Sequence, residues 1–263
     1  GDSVTFSGGG DLDNGMTVSV SYELDGGNYD DYSLKLGLGD GLGTVTFSGN
    51  SVNAGGVDTV KDIVPNAYTP VYEAADEATG AADNGLATTT GRVTTGMWGY
   101  AISTGGFDIS VGYNPEPGGT SDNSESSIGV TYSGLMDGVS LSVGRMDDQD
   151  VAENDTIGLK YTAGSVTAAY QITKVDYDAE ATADQDAAHY GISVAINENL
   201  SVSAGRQEVE IDDTAEDEIN SGILASYTMG SIKLAGGFTS VDSGSGVAGR
   251  DAEVAILNAS FAF

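Results

Sequence analysis

The sequence predicts an all-β fold, an antiparallel up-and-down transmembrane β-barrel formed by residues 1–263 as a single domain. Three observations carry this. Large apolar residues recur at every second position with Ser, Thr, Gly or a charge between them, which is the period of a pleated strand. The connections alternate between tight and long along the whole chain, as in hairpins laid side by side. No stretch approaches the roughly 18 to 20 apolar residues of a membrane helix, so a chain that spans a bilayer must cross it with strands.

The first strand is Ser3 to Gly9. In Gly15 to Leu24 the alternation is plain: Met16, Val18, Val20, Tyr22 and Leu24 point one way, and Thr17, Ser19, Ser21 and Glu23 the other. Tyr32/Leu34/Leu36/Leu38 and Val45/Phe47 continue it, followed by Phe107/Ile109/Val111/Tyr113, Ile128/Val130/Tyr132, Val139/Leu141/Val143 and Ile157/Leu159/Tyr161. Val166/Ala168/Tyr170/Ile172, Tyr190/Ile192/Val194/Ile196, Ile223/Ala225/Tyr227 and Ile232/Leu234 complete the series. These are about fifteen strands, mostly near the roughly 9 to 11 residues that a tilted spanning strand needs.

Tight connections fall at 11–15, 39–43, 104–106, 135–138, 163–165, 197–199 and 229–231, and Asn14-Gly15 and Asp137-Gly138 are hairpin-turn pairs. Long polar ones are expected at 25–31, 51–91, 115–124, 148–154, 175–187, 211–217 and 241–250. With the long loops outside, Tyr100, Tyr132, Tyr161, Tyr227 and Phe261 lie toward the inner ends of their strands, and Tyr22, Tyr113, Tyr170 and Phe238 toward the outer ends. Two girdles of amphipathic rings suit two membrane interfaces.

Composition removes other classes. Forty acids against nine bases give a formal net charge of -31, which excludes nucleic acid as a partner and favours cations and neutral solutes. No cysteine is present, so there is no disulfide framework, thiolate metal site or cysteine nucleophile. With His189 the only histidine, no catalytic constellation is visible; it is read as a polar wall residue. Asp- and Gly-rich stretches at 25–31, 146–155 and 208–218 have the chemistry for weak Ca²⁺ binding, but none has EF-hand spacing, so no cofactor and no defined metal site is expected.

The stretches VTFSGGGDLDNGMTVSVSYELDGG and DYSLKLGLGDGLGTVTFSGN, the long loop with VDTVKDIVPNAYTPVYEAAD and the terminal Phe263 in NASFAF resemble the general-diffusion porins of Gram-negative bacteria, the α-proteobacterial type in particular. The resemblance covers essentially the whole chain. It implies a barrel of about sixteen strands, assembled as a homotrimer in the bacterial outer membrane among lipid and lipopolysaccharide, with the third long loop folded into the lumen. That loop here, 51–91, follows the fourth visible strand where the family's follows the fifth, so the first N-terminal strand is expected to lie before Gly1.

A channel needs no catalysis, only a wet lumen whose charges sort solutes. Asp58, Asp62, Glu73, Asp76, Glu77 and Asp83 of the long loop, against Lys61, are the expected constriction acids. Alternation places Lys35, Lys160 and Lys233 on the lumen side, and Arg92 opens the strand after the loop; these are the expected wall bases, Lys35 matching best the basic wall that the resemblance implies. The resemblance implies passive diffusion of small hydrophilic solutes, and because the family's arginine cluster is not visible here a preference for cations is expected. Arg145 and Arg206, on the outward side at the extracellular end, are placed to meet lipopolysaccharide phosphates or loop acids. Two other readings compete: a substrate-selective channel using Tyr68 and Tyr72 to guide a solute, and a secreted acidic β-rich adhesin or surface-layer protein.

Overall fold

The computed structural model describes residues 3–25, 28–49, 55–73, 96–115, 124–179 and 182–261. The described residues form fifteen strands: β1 (Ser3–Asp11), β2 (Thr17–Asp25), β3 (Asn28–Gly37), β4 (Thr44–Gly49), β5 (Met97–Thr104), β6 (Phe107–Asn114), β7 (Glu125–Tyr132), β8 (Val139–Asp148), β9 (Ala152–Ala163), β10 (Val166–Tyr177), β11 (Gln185–Ala195), β12 (Leu200–Ile211), β13 (Glu218–Met229), β14 (Ile232–Asp242) and β15 (Ala252–Phe261). They form one sheet in strict chain order, β1 to β15. The registered pairs are antiparallel, as up-and-down hairpins require.

The tight turns form for local reasons. Gly15 takes φ +81°, open to glycine at little cost, while Asn14 Oδ1 accepts the Met16 N–H at 3.2 Å and Leu12 N–H reaches the Met16 carbonyl at 2.8 Å. At the β11–β12 turn the Asn197 side-chain oxygen accepts the N–H groups of Asn199 (2.9 Å) and Leu200 (3.0 Å).

Two of the expected long loops are corrected. Strand β2 runs to Asp25 and β3 starts at Asn28, where a loop over 25–31 was expected; only residues 149–151 separate β8 from β9, where one over 148–154 was expected. Pairing of backbone groups persists past the apolar stretch, because a ladder needs only N–H and C=O groups and tolerates charged side chains in water. Polarity alone cannot tell such a strand extension from a loop.

Two compact units are distinguished, one of Gly1–Lys61, Thr88–Gly134 and Ser142–Thr156, the other of Asp62–Ala87, Leu135–Leu141 and Ile157–Phe263. Both show the same inversion of polarity. In the first, Trp98, Tyr113 and Ile128 are exposed while Ser110, Ser127 and Asn154 are buried. In the second, Leu159 is 49% exposed, Ile223 62% and Phe238 73%, while Thr173, Gln207 and Asn220 are at most 1% exposed. In water such an apolar face would lose the roughly 1.5–3 kcal/mol that burying each large side chain yields, so it calls for an apolar solvent.

Aromatic rings gather toward the two ends of the apolar face. Phe107 and Tyr132 stack at the tight-turn end (centroids 4.3 Å apart), and Phe47 and Trp98 pack toward the long-loop end (4.9 Å). Tyr161, Tyr227 and Phe261 are exposed near the tight-turn ends of their strands.

Candidate functional site

The described part of the long loop, residues 55–73, packs on the polar face of the sheet. In the first unit it opens with a 3₁₀ turn, Gly56–Thr59, whose Val57 and the following Val60 are buried against Met146 of β8. Gly56 N–H donates to Ser110 Oγ of β6 at 2.8 Å, and Thr59 Oγ1 donates to the Gly56 carbonyl at 2.7 Å. Asp58 is turned away from that apolar contact, half-buried, and pairs with Lys61 Nζ at 2.8 Å.

In the second unit the loop is held the same way. Ile63 N–H donates to Gln171 Oε1 of β10 (3.2 Å), and Ala67 N–H to Ser203 Oγ of β12 (2.9 Å). Val64, Ala67, Val71 and Tyr72 are buried, whereas Asp62 and Glu73 are exposed. The Tyr72 hydroxyl donates to Asp62 Oδ1 at 3.3 Å, and Thr69 Oγ1 donates to Glu73. The valines of the segment, with Ala67 and Tyr72, are thus buried, while Asp58 is half-buried and Asp62 and Glu73 are exposed. Each buried valine contributes about 1.5 kcal/mol and each hydrogen bond about 0.5–1.5, so the loop is pinned rather than draped.

Of the expected acids, Asp58, Asp62 and Glu73 lie on this pinned segment; Asp76, Glu77 and Asp83, and the expected base Arg92, lie outside the described residues. Lys35, Lys160 and Lys233 stand on the polar face, each toward the tight-turn end of its strand. Lys35 shares a register row with the loop's seat: it pairs with Thr46, Thr46 with Gly99, Gly99 with Gly112 and Gly112 with Ser127. Three strand spacings, roughly 14 Å, separate it from Gly112, so it faces the loop's level without touching it.

Tyr72, which with Tyr68 carries the substrate-selective reading, is packed against the wall. It is 5% exposed, with its ring edge-on to buried His189 at 5.7 Å, so it braces the loop against β11 and offers no surface to a solute. Arg145 and Arg206 are on the apolar face at its long-loop margin and are engaged by acids of that face: Arg145 by Glu153 and by Asp155 at 3.3 Å, Arg206 by Glu208 at 2.7 Å.

Sequence reading missed several features of the polar face. The posts Ser110, Gln171 and Ser203 are unremarkable polar residues until a loop N–H is seen to end on them. Asp108 accepts from Ser103 Oγ at 2.5 Å. Glu218, fully buried, accepts from Asn220 Nδ2 (2.8 Å) and from the Ser245 N–H (2.5 Å), tying down the connection between β14 and β15. The signal for the loop's seat was present as glycine at mid-strand positions on the polar side. Among the described residues no group of three or more His, Cys, Asp or Glu side chains is placed to hold a metal ion.

A sheet of consecutive antiparallel strands, apolar outward between rings of aromatics and polar beneath a pinned acidic loop, defines the class of outer-membrane β-barrel proteins. The sequence model for Gram-negative porins matches residues 1–259. The chain belongs to the Gram-negative porin family, whose members are passive channels of the bacterial outer membrane and not enzymes.

Solved structures agree at the level of fold. A porin refined at 1.8 Å is 18% identical, with 99% of this chain and 92% of that one covered and a TM-score of 0.70. The anion-selective porin of Comamonas acidovorans is 15% identical (98% and 89% covered, TM-score 0.66), and OmpT of Vibrio cholerae 13% identical (98% and 86%, TM-score 0.63). A search of curated protein sequences found no match.

Proposed function

We propose that this porin is a water-filled channel for small hydrophilic solutes that prefers cations, with the loop 51–91 folded into the lumen as its constriction. The observation that carries the reading is the two-sidedness of residues 55–73: valines buried against the wall, with Asp58 half-buried and Asp62 and Glu73 exposed. The loop's one base, Lys61, is tied to Asp58. Carboxylates held beside low-dielectric walls focus a negative potential that raises the local concentration of cations. Asp76, Glu77 and Asp83 would add to that field, and Lys35, Lys160, Lys233 and Arg92 would moderate it. The anion selectivity of the Comamonas porin belongs to that protein; at 15% identity the shared fold leaves the sign of the lumen charge to each sequence.

A homotrimer is proposed with it, supported by the exposed Trp98 and Tyr113 of the short strands β5 and β6, with half-buried Phe47 of β4 packed beside Trp98, a surface that suits a second copy or lipid. Lipopolysaccharide is the proposed lipid partner at the long-loop margin, and weak Ca²⁺ binding there would use its surplus of acids.

The experiment is single-channel recording in planar bilayers, with the reversal potential read across a KCl gradient. Wild-type protein is expected to show stepwise currents and a cation-favouring potential. The triple variant Asp58→Asn, Asp62→Asn, Glu73→Gln is expected to move that potential toward zero. An anion-favouring potential in the wild type would overturn the cation preference and leave the channel standing.

A further inference from the structure

The long loop meets the wall where the wall has no side chains. In the first unit, a Cβ built on Gly129 of β7 would lie 2.4 Å from the Gly56 carbonyl oxygen and 2.7 Å from Thr59 Oγ1, and one on Gly144 of β8 would lie 2.6 Å from a Val60 methyl and 2.8 Å from a Val57 methyl. In the second unit, a Cβ on Gly158 of β9 would lie 2.1 Å from the Ile63 δ-methyl, and one on Gly191 of β11 2.9 Å from a Val64 methyl. Non-bonded carbons rest about 3.5–4.0 Å apart, so a Cβ at any of these positions meets the loop, and at Gly129 it meets loop backbone.

We infer that the polar-face glycines, Gly129 and Gly158 above all, are positioning residues that set how far the loop stands off the wall and thereby set the aperture of the channel. The inference rests on the channel reading and deepens it. Ser110, Gln171 and Ser203 hold the loop by hydrogen bonds that work only at close approach, 2.8 to 3.2 Å, so the loop is drawn in until it meets backbone. The stop is the strand itself. A methyl group added at the stop moves the loop off the wall, toward the lumen.

The two positions differ in how the strain is relieved. At Gly129 the obstruction is loop backbone, which no rotamer change removes, so the loop must lift by about 1 Å. At Gly158 it is the end of the Ile63 side chain, which can turn aside from a small addition but not from a branched one. Gly10 of β1 supplies a control, because a Cβ there meets nothing within 4 Å.

The test compares single-channel conductance in KCl and the uptake of sugars of graded size into proteoliposomes. Gly129→Ala is expected to lower conductance by roughly a quarter and to exclude sugars that the wild type admits, in line with a lift of about 1 Å at a narrow pore. Gly10→Ala is expected to match the wild type in both. A second pair guards against a fold defect at Gly129: Gly158→Val is expected to lower conductance, and adding Ile63→Ala to restore it, because the space taken is returned. Correctly folded Gly129→Ala with wild-type conductance, or a Gly158→Val loss that Ile63→Ala does not restore, would overturn the inference and leave the channel reading intact. Wild-type protein that forms no conducting steps would overturn both.

Discussion

Leu159 and Lys160 are neighbours in β9 on opposite faces of one strand, and they test the orientation of the whole sheet. Leu159 stands on the apolar face, 49% exposed, two residues from Tyr161 and four from Asp155, the first charge of that face. At about 3.3 Å per residue, roughly 7 Å separate it from the aromatic level and roughly 13 Å from the charged one. A cation at the bilayer midplane of a strand barrel costs about 2–4 kcal/mol, falling to about 0–1 at the interface, so Leu159→Arg should cost about 2–3 kcal/mol. That is roughly a 30- to 150-fold shift in the folding equilibrium. Urea titrations of folding into phosphatidylcholine vesicles, followed by Trp98 fluorescence and by heat-modifiable gel mobility, would measure it. Lys160→Ala, on the polar face, should change stability by no more than about 0.5 kcal/mol. Leu159→Arg as stable as the wild type would refute the assignment of this face to hydrocarbon.

Two further predictions concern the long-loop end. Glu218→Ala removes the acceptor of the Ser245 N–H and one of the two acceptors of the Asn220 amide, which keeps Gln207 Oε1, at about 1–3 kcal/mol, and limited proteolysis should then cut the 243–251 connection faster than in the wild type. Arg145→Ala breaks pairs to Glu153 and Asp155 in which every partner is about half exposed, so the same urea titration should show a loss of no more than about 1 kcal/mol. A larger loss would mean that Arg145 holds more than those two carboxylates.

The sequence by itself determined the class of fold, the order of the strands and which residues share a face. Alternation with period two is a local property: once Leu159 faces one way, Lys160 must face the other, whatever the rest of the chain does. Tight turns were equally legible, because Asn14-Gly15 and Asp137-Gly138 specify their own backbone. The inversion of polarity, with Ile223 outside and Asn220 inside, follows from the same pattern once no soluble core is found for the apolar set.

Only the tertiary structure decided where the strands stop and where the described part of the long loop packs. Beyond the apolar rows, charged residues such as Asp25, Asp148 and Glu153 lie in stretches whose polarity alone read as loop, because the ladder that keeps them extended is formed with a partner strand. The loop's seat depends on pairings across sequence separations that no local signal carries, such as Gly56 with Ser110, Ile63 with Gln171 and Ala67 with Ser203. Tyr72 shows the consequence. As a loop tyrosine it read as a solute guide, and three-dimensional packing turned it onto His189 instead. The acids Asp58, Asp62 and Glu73 could be named from the sequence, but that they stay more exposed than the valines beside them follows from those valines packing on Met146 and on strand glycines.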